Sequence, residues 1–107
     1  MATSGLIQTS RLADGTAAVE VRGELDLGIC DHLRRVLIDT ATRLRPPVIV
    51  VDLLHVTFID STGIGALASG SNAAQTHGIP FTARHPSPFV ATQLRTTGLY
   101  DALTGER

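Results

Sequence analysis

Apolar and polar residues alternate along two short N-terminal segments, and the pattern then changes to the spacing of a helix. Residues 6–12 and 17–22 are separated by the turn signal Asp14-Gly15, which predicts a β-hairpin that closes at Asp26. Between residues 28 and 44 the apolar positions recur at helical steps, which is typical of a helix with one buried face. Pro46-Pro47 is expected to end that helix.

The rest of the chain alternates between strand and helix patterns. Residues 48–54 are short, apolar and rich in β-branched side chains, which predicts a central parallel strand covered on both faces. We expect a second helix over 61–76, a strand over 79–84, and a third helix from Pro88 to a cap at Gly98. The predicted class is α/β, in the order β-β-α-β-α-β-α: a four-stranded mixed sheet with helices packed against it. We expect one domain over residues 1–107, with its core at about 6–103.

Composition then narrows the function classes. A chain of 107 residues is long enough for one domain but not for a cofactor domain joined to a substrate domain. The chain has nine basic residues, all arginines, and ten acidic ones, so it has no excess of positive charge. Neither nucleic acid nor a membrane surface is therefore an expected partner. The single cysteine, Cys30, lies beside an apolar helix stripe and is expected to be a packed thiol. Without a targeting signal, a membrane-spanning segment or a metal-ligand pattern, a cytoplasmic protein with no cofactor or metal is expected.

The segment from residue 57 to 67 carries most of the chemical information. Asp60-Ser61-Thr62 directly precedes a helix-periodic run, so a serine or aspartate oxygen is expected to cap the helix, and Ser61 could be a cap and nothing more. Gly63 and Gly65 each cost ~1 kcal/mol relative to alanine, which indicates close approach by the sheet or by another molecule. The amide groups at the helix start would favour an anion, such as a phosphoryl group on Ser61.

Two enzyme interpretations compete for this segment. Residues 63–68 fit the dinucleotide-binding pattern G-x-G-x-x-A, but eight residues separate the predicted strand from Gly63, and Asp60 would repel a pyrophosphate. A serine hydrolase would need a histidine near Ser61, and neither the histidine spacing nor the flanking residues match such a site. We therefore expect no enzymatic activity.

The chain resembles the STAS domain in a series of features. In order, these are the run Gly23-Glu24-Leu25-Asp26, a helix, a hydrophobic strand and the segment 58–65. Among STAS domains the sequence is most similar to the bacterial anti-sigma-factor antagonists, and Thr97-Gly98-Leu99 matches the usual ending of that family. The resemblance covers residues 6–103. The helix after Leu67 departs from it, being small and polar with a third glycine, Gly70, which indicates either close helix packing or a changed partner surface.

The resemblance implies a phosphorylation-controlled partner switch in transcription and stress responses. It places the phosphoacceptor at Ser61, with Thr62 less favoured, and the modifying partner is an anti-sigma factor that is also a serine kinase. The unphosphorylated domain would bind this kinase and thereby release a sigma factor, and a serine phosphatase would restore binding. The implied docking contacts are Glu24, Asp26, Asp60, Thr62 and Ile64. The alternative is a STAS-type assembly or ligand-binding subunit of a transporter, lipid-trafficking or stress-sensing complex.

Overall fold

The computed structural model describes residues 6–105 and contains one four-stranded sheet. The strands are β1 (Ile7–Arg11), β2 (Ala17–Leu25), β3 (Ile49–Ile59) and β4 (Phe81–Arg84), and they lie side by side in chain order. β1 runs antiparallel to β2, whereas β2, β3 and β4 are mutually parallel. The predicted mixed sheet and hairpin are therefore confirmed. Gly15 in the connecting turn has a φ of 92°, a conformation that glycine adopts without steric cost.

Two helices connect the parallel strands and two follow the last strand, and the helices differ from the prediction in two respects. α1 (Leu27–Asp39) continues as one turn of π-helix over Thr40–Leu44, so the last turn of the predicted helix is not α-helical. α2 (Ser61–Thr76) has the predicted bounds, and α3 (Pro88–Thr96) begins with a proline in its first turn, after the Ser87 cap. The sequence patterns did not predict the short helix α4 (Tyr100–Thr104). No described helix is both long and apolar enough to cross a bilayer.

β3 is longer than its apolar pattern suggested, and it is buried on one face instead of two. Its inward side chains, such as Val51 and Leu53, are buried, whereas Leu54 and Phe58 are exposed. The expectation of a strand covered on both faces is therefore wrong. The outer face of the sheet remains open to solvent along much of β3, and this is why polar residues are tolerated between positions 54 and 58.

The close approach of α1 and α2 depends on Gly70. A Cβ atom at this position would lie 2.7 Å from Cβ and Cδ1 of Leu37, a fully buried residue of α1. The third glycine of α2 is thus explained by helix packing, which was one of the two predicted explanations.

Candidate functional site

Two aspartates lie at the same edge of the sheet because the strands before them are parallel neighbours. Leu25, at the end of β2, is paired with Ile59, at the end of β3, so Asp26 and Asp60 leave the sheet at equivalent positions. Asp26 caps α1 through a hydrogen bond from Gly28 N, and Asp60 caps α2. The carboxyl ends of two parallel strands therefore place two carboxylates and two helix starts together.

The Asp60 carboxylate caps the start of α2 by accepting hydrogen bonds from two of its amides. Its Oδ1 atom accepts hydrogen bonds from Thr62 N (3.0 Å), Gly63 N (3.1 Å) and Thr62 Oγ1 (2.6 Å). These bonds, the Thr62 hydroxyl first, lower the pKa of Asp60, so the group is ionised near neutral pH. The expectation that these amides would be free to receive a phosphate is therefore corrected, because the protein's own carboxylate occupies two of them.

The two glycines that open α2 have different roles. A Cβ atom on Gly63 would lie 2.8 Å from Ile59 Cγ1 and 3.0 Å from Leu25 Cβ, so Gly63 allows the helix to approach the sheet. A Cβ atom on Gly65 would have no such neighbour within 4 Å. The pattern G-x-G-x-x-A thus reflects packing at its first glycine and an open surface at its second.

The same geometry changes the argument against dinucleotide binding. Because β3 ends at Ile59, only residues 60–62 separate it from Gly63, so the objection based on a long separation is wrong. The interpretation fails for another reason. The amides of Thr62 and Gly63, which would have to bind the pyrophosphate, already donate to the Asp60 carboxylate.

Ser61 and Thr62 present hydroxyl groups in different states. Ser61 is exposed at the first position of α2, and its hydroxyl forms no hydrogen bond within residues 6–105. Thr62 is also exposed, but its hydroxyl donates to Asp60 and lies 3.4 Å from Cys30 Sγ. Because Asp60 supplies the cap, the interpretation of Ser61 as the capping residue is wrong.

Cys30 is the buried neighbour of this edge. It is 5% exposed, as expected for a packed thiol. Burial raises its pKa, the contact with Thr62 opposes that rise, and the negative charges of Asp60 and Asp26 add to it. The thiol is therefore protonated near neutral pH. Because the charges of Asp60 and Asp26 both raise its pKa, Cys30 lies close enough to the two carboxylates to interact with them electrostatically.

A family model of the STAS domain matches residues 9–106. The chain belongs to the STAS domain family. The sequence resemblance is therefore confirmed at the level of the family, and the α/β architecture agrees with it. No curated protein matches the chain in sequence.

Solved structures share this STAS fold. SpoIIAA, an anti-sigma factor antagonist, in its unphosphorylated form has 19% identity and a TM-score of 0.77 over 92% of this chain and 85% of its own. Bacillus SpoIIAA in its phosphorylated form has 19% identity and a TM-score of 0.72 over 87% and 84%. An anti-sigma factor antagonist from Mycobacterium paratuberculosis has 26% identity and a TM-score of 0.74 over 96% and 87%. A sulfate transporter family protein from Wolinella succinogenes has 26% identity and a TM-score of 0.76 over 92% and 78%.

The docking residues implied by the STAS resemblance separate into accessible and buried ones. Glu24, Asp26 and Thr62 are exposed, and Asp60 is half-buried. Ile64 is only 4% exposed and belongs to the hydrophobic core, so its side chain is not available to a partner. Its inclusion among the contacts is corrected. The helical period places it on the buried face of α2.

The sequence patterns missed one exposed feature beside this edge. Phe58 of β3 and Phe89 of α3 are stacked, with ring centroids 5.8 Å apart and an interplanar angle of 23°. They are 39% and 44% exposed. Phe58 lies within the motif segment, but its partner is thirty-one positions further along the chain, and no local pattern connects the two.

Proposed function

We propose that this STAS domain is an anti-sigma-factor antagonist that works as a phosphorylation-controlled partner switch. In its unphosphorylated form it binds an anti-sigma factor that is also a serine kinase, and this binding releases a sigma factor. The kinase phosphorylates Ser61 and ends the interaction, and a serine phosphatase reverses the modification. The observation that carries the proposal is the exposed, unbonded Ser61 hydroxyl on the first turn of α2, described among residues 6–105.

The contrast between two adjacent hydroxyls supports Ser61 as the acceptor. A kinase must bring the attacking oxygen into line with the γ-phosphoryl group of ATP. The Ser61 hydroxyl is free to rotate into that position. The Thr62 hydroxyl would first have to give up its 2.6 Å hydrogen bond to Asp60, which is charge-assisted and therefore strong.

The charge of a phosphate supports the switching step. A phosphoserine adds about −1.5 to −2 charges at pH 7. It would lie beside the ionised Asp60, and the amides of Thr62 and Gly63 are not free to offset it. A partner surface matched to a neutral hydroxyl would then meet a concentrated negative charge. A loss of roughly 2.7 kcal/mol weakens binding about a hundredfold, so no refolding of the domain is needed.

Phosphorylation with matched variants tests the acceptor assignment. The wild-type domain is incubated with ATP and, one at a time, the purified anti-sigma serine kinases of the organism that encodes the domain. The site of phosphorylation is then mapped by mass spectrometry. We expect one phosphate on wild type and on Thr62→Val, and none on Ser61→Ala. Equal incorporation into Ser61→Ala would show that the assignment is wrong.

Binding to the same kinase tests the charge mechanism separately. Ser61→Asp is expected to weaken binding strongly. Ser61→Asn introduces a side chain of nearly the same shape as aspartate but without its charge, and it is expected to weaken binding much less. Equal affinities for the two variants would contradict a mechanism based on charge.

A second candidate is a STAS-type assembly or ligand-binding subunit, in line with the similarity to the sulfate transporter family protein. The observation that favours it is a groove of about 340 Å3 between α1 and α2, lined by Cys30, Asp31, Arg34, Thr62, Gly65 and Ser69 among others. Co-purification of a stoichiometric small ligand, lost on the groove-filling substitution Gly65→Leu, would support this function. In that case Ser61→Ala should not change the amount of ligand that co-purifies with the domain.

A further inference from the structure

We propose that the aromatic pair Phe58–Phe89 is the apolar anchor through which the kinase that modifies Ser61 docks on this domain. The inference rests on the proposed function and extends it, because it assigns a binding surface outside the phosphoacceptor motif. The expected partner surface is an apolar cleft bordered by lysine or arginine side chains. Three observations support this assignment.

The first observation is the exposure of the pair. Phe58 and Phe89 are large apolar side chains that leave 39% and 44% of their surface in water, although each has the other ring to pack against. Two stacked rings in this state form a preorganised platform, since little side-chain entropy remains to be lost on binding. Aromatic side chains, phenylalanine included, are enriched at protein interfaces relative to the rest of the protein surface.

The second observation is continuity with the phosphoacceptor. Phe58 lies three residues before Ser61, so their Cα atoms are at most ~11 Å apart. A surface that buries the aromatic pair and covers Ser61 therefore fits easily within the ~800 Å2 that each partner contributes to a standard interface. A kinase could hold the pair while its active site reaches the serine.

The third observation is the charge around the pair. Glu24 is the register partner of Phe58 on the neighbouring strand and is exposed. Together with Asp26 and Asp60 it forms an acidic edge, and none of these three carboxylates has an ion-pair partner within residues 6–105. Unpaired carboxylates beside an apolar platform complement a basic rim on the partner and would speed its association. The basic rim would face these carboxylates, whereas the part of the partner that covers Ser61 is matched to a neutral hydroxyl, as the proposed switch requires.

Binding of the unphosphorylated domain to the purified anti-sigma serine kinases of the same organism, without ATP, tests the assignment. Phe89→Ala is the main variant because Phe89 lies in the first turn of α3 and is well exposed. The matched control is Leu12→Ala, since Leu12 is 49% exposed in the hairpin at the opposite end of β2. We expect Kd to increase at least tenfold for Phe89→Ala and to stay within twofold for Leu12→Ala. Raising the salt concentration should weaken wild-type binding.

The possible results separate this proposal from the proposed function. An unchanged Kd for a folded Phe89→Ala, with normal phosphorylation of Ser61, would overturn the anchor and leave the switch intact. If no kinase binds or modifies the wild type, both proposals are wrong. A wild-type dimer that Phe89→Ala converts to a monomer, with kinase binding unchanged, would assign the pair to self-association instead. Should Phe89→Ala lower Tm, Phe89→Leu keeps most of the apolar volume without the ring stack and gives the same comparison.

Discussion

Replacing Gly70 with alanine is expected to destabilise the domain, whereas the same change at Gly65, one and a half turns earlier, is expected to stabilise it. The new methyl group at position 70 would lie 2.7 Å from two atoms of Leu37. Cδ1 of Leu37 can rotate away, but Cβ is fixed to the α1 backbone, so α1 and α2 must move apart. Overpacking costs about 1–3 kcal/mol, and this contact lies at the upper end because a backbone-linked atom must move. The higher helix propensity of alanine offsets ~1 kcal/mol of this cost, so the free energy of unfolding should fall by about 2 kcal/mol.

Gly65→Ala provides the matched control. It gains the same helix propensity of ~1 kcal/mol, and its methyl group meets no neighbour within 4 Å. For a domain of this size 1 kcal/mol corresponds to about 4 °C, so Tm should fall by about 8 °C for Gly70→Ala and rise by about 4 °C for Gly65→Ala. Thermal and urea unfolding followed by circular dichroism measure both changes, with an unchanged m-value expected. A Gly70→Ala variant as stable as wild type would refute the argument that Gly70 sets the distance between the helices.

Two further predictions concern the titrating groups of the site. The pKa of Asp60 lies below its ordinary 3.8, so its contribution to stability is present above that value and lost as the pH falls through the lowered pKa. Asp60→Asn keeps a capping side chain without this titration, so its unfolding free energy should fall less than that of wild type as the pH is lowered below 3.8. Parallel decreases in urea titrations would contradict this. The Cys30 thiol is buried with a raised pKa, so a thiol reagent at pH 8 should label it at least ~100-fold more slowly than the urea-unfolded chain, and equal rates would show that it is accessible.

Local chemistry made parts of the site predictable. An aspartate before a helix-periodic run is a capping signal that depends on a few neighbouring residues, and Asp60 caps α2 at the expected position. The sequence could not decide whether Asp60 or Ser61 supplied the capping oxygen, because both residue types cap well. Only the backbone geometry distinguishes them: Asp60 is extended and Ser61 is already helical.

Features that depend on tertiary contacts were not predictable in the same way. The extension of β3 to Ile59 was missed because two register shifts against β2 break the alternation of apolar and polar residues. The β-branched and aromatic residues between Val56 and Ile59 were the available signal. Ile64 was named as a docking contact because of its place in the STAS motif, although its spacing from Leu67 already indicated a shared buried face.

The separation of capping from phosphate acceptance gives the proposed switch its physical basis. If Ser61 supplied the cap, a phosphate on its oxygen would remove a hydrogen bond from α2, and modification would alter the helix as well as the surface. Asp60 holds the amides of Thr62 and Gly63 without any contribution from the Ser61 oxygen, so a phosphate on Ser61 would leave both hydrogen bonds in place and α2 would keep its start. The signal would then be carried by charge at an unchanged surface. A partner that recognises this edge through shape and charge would then lose affinity without any conformational change in the domain that it leaves.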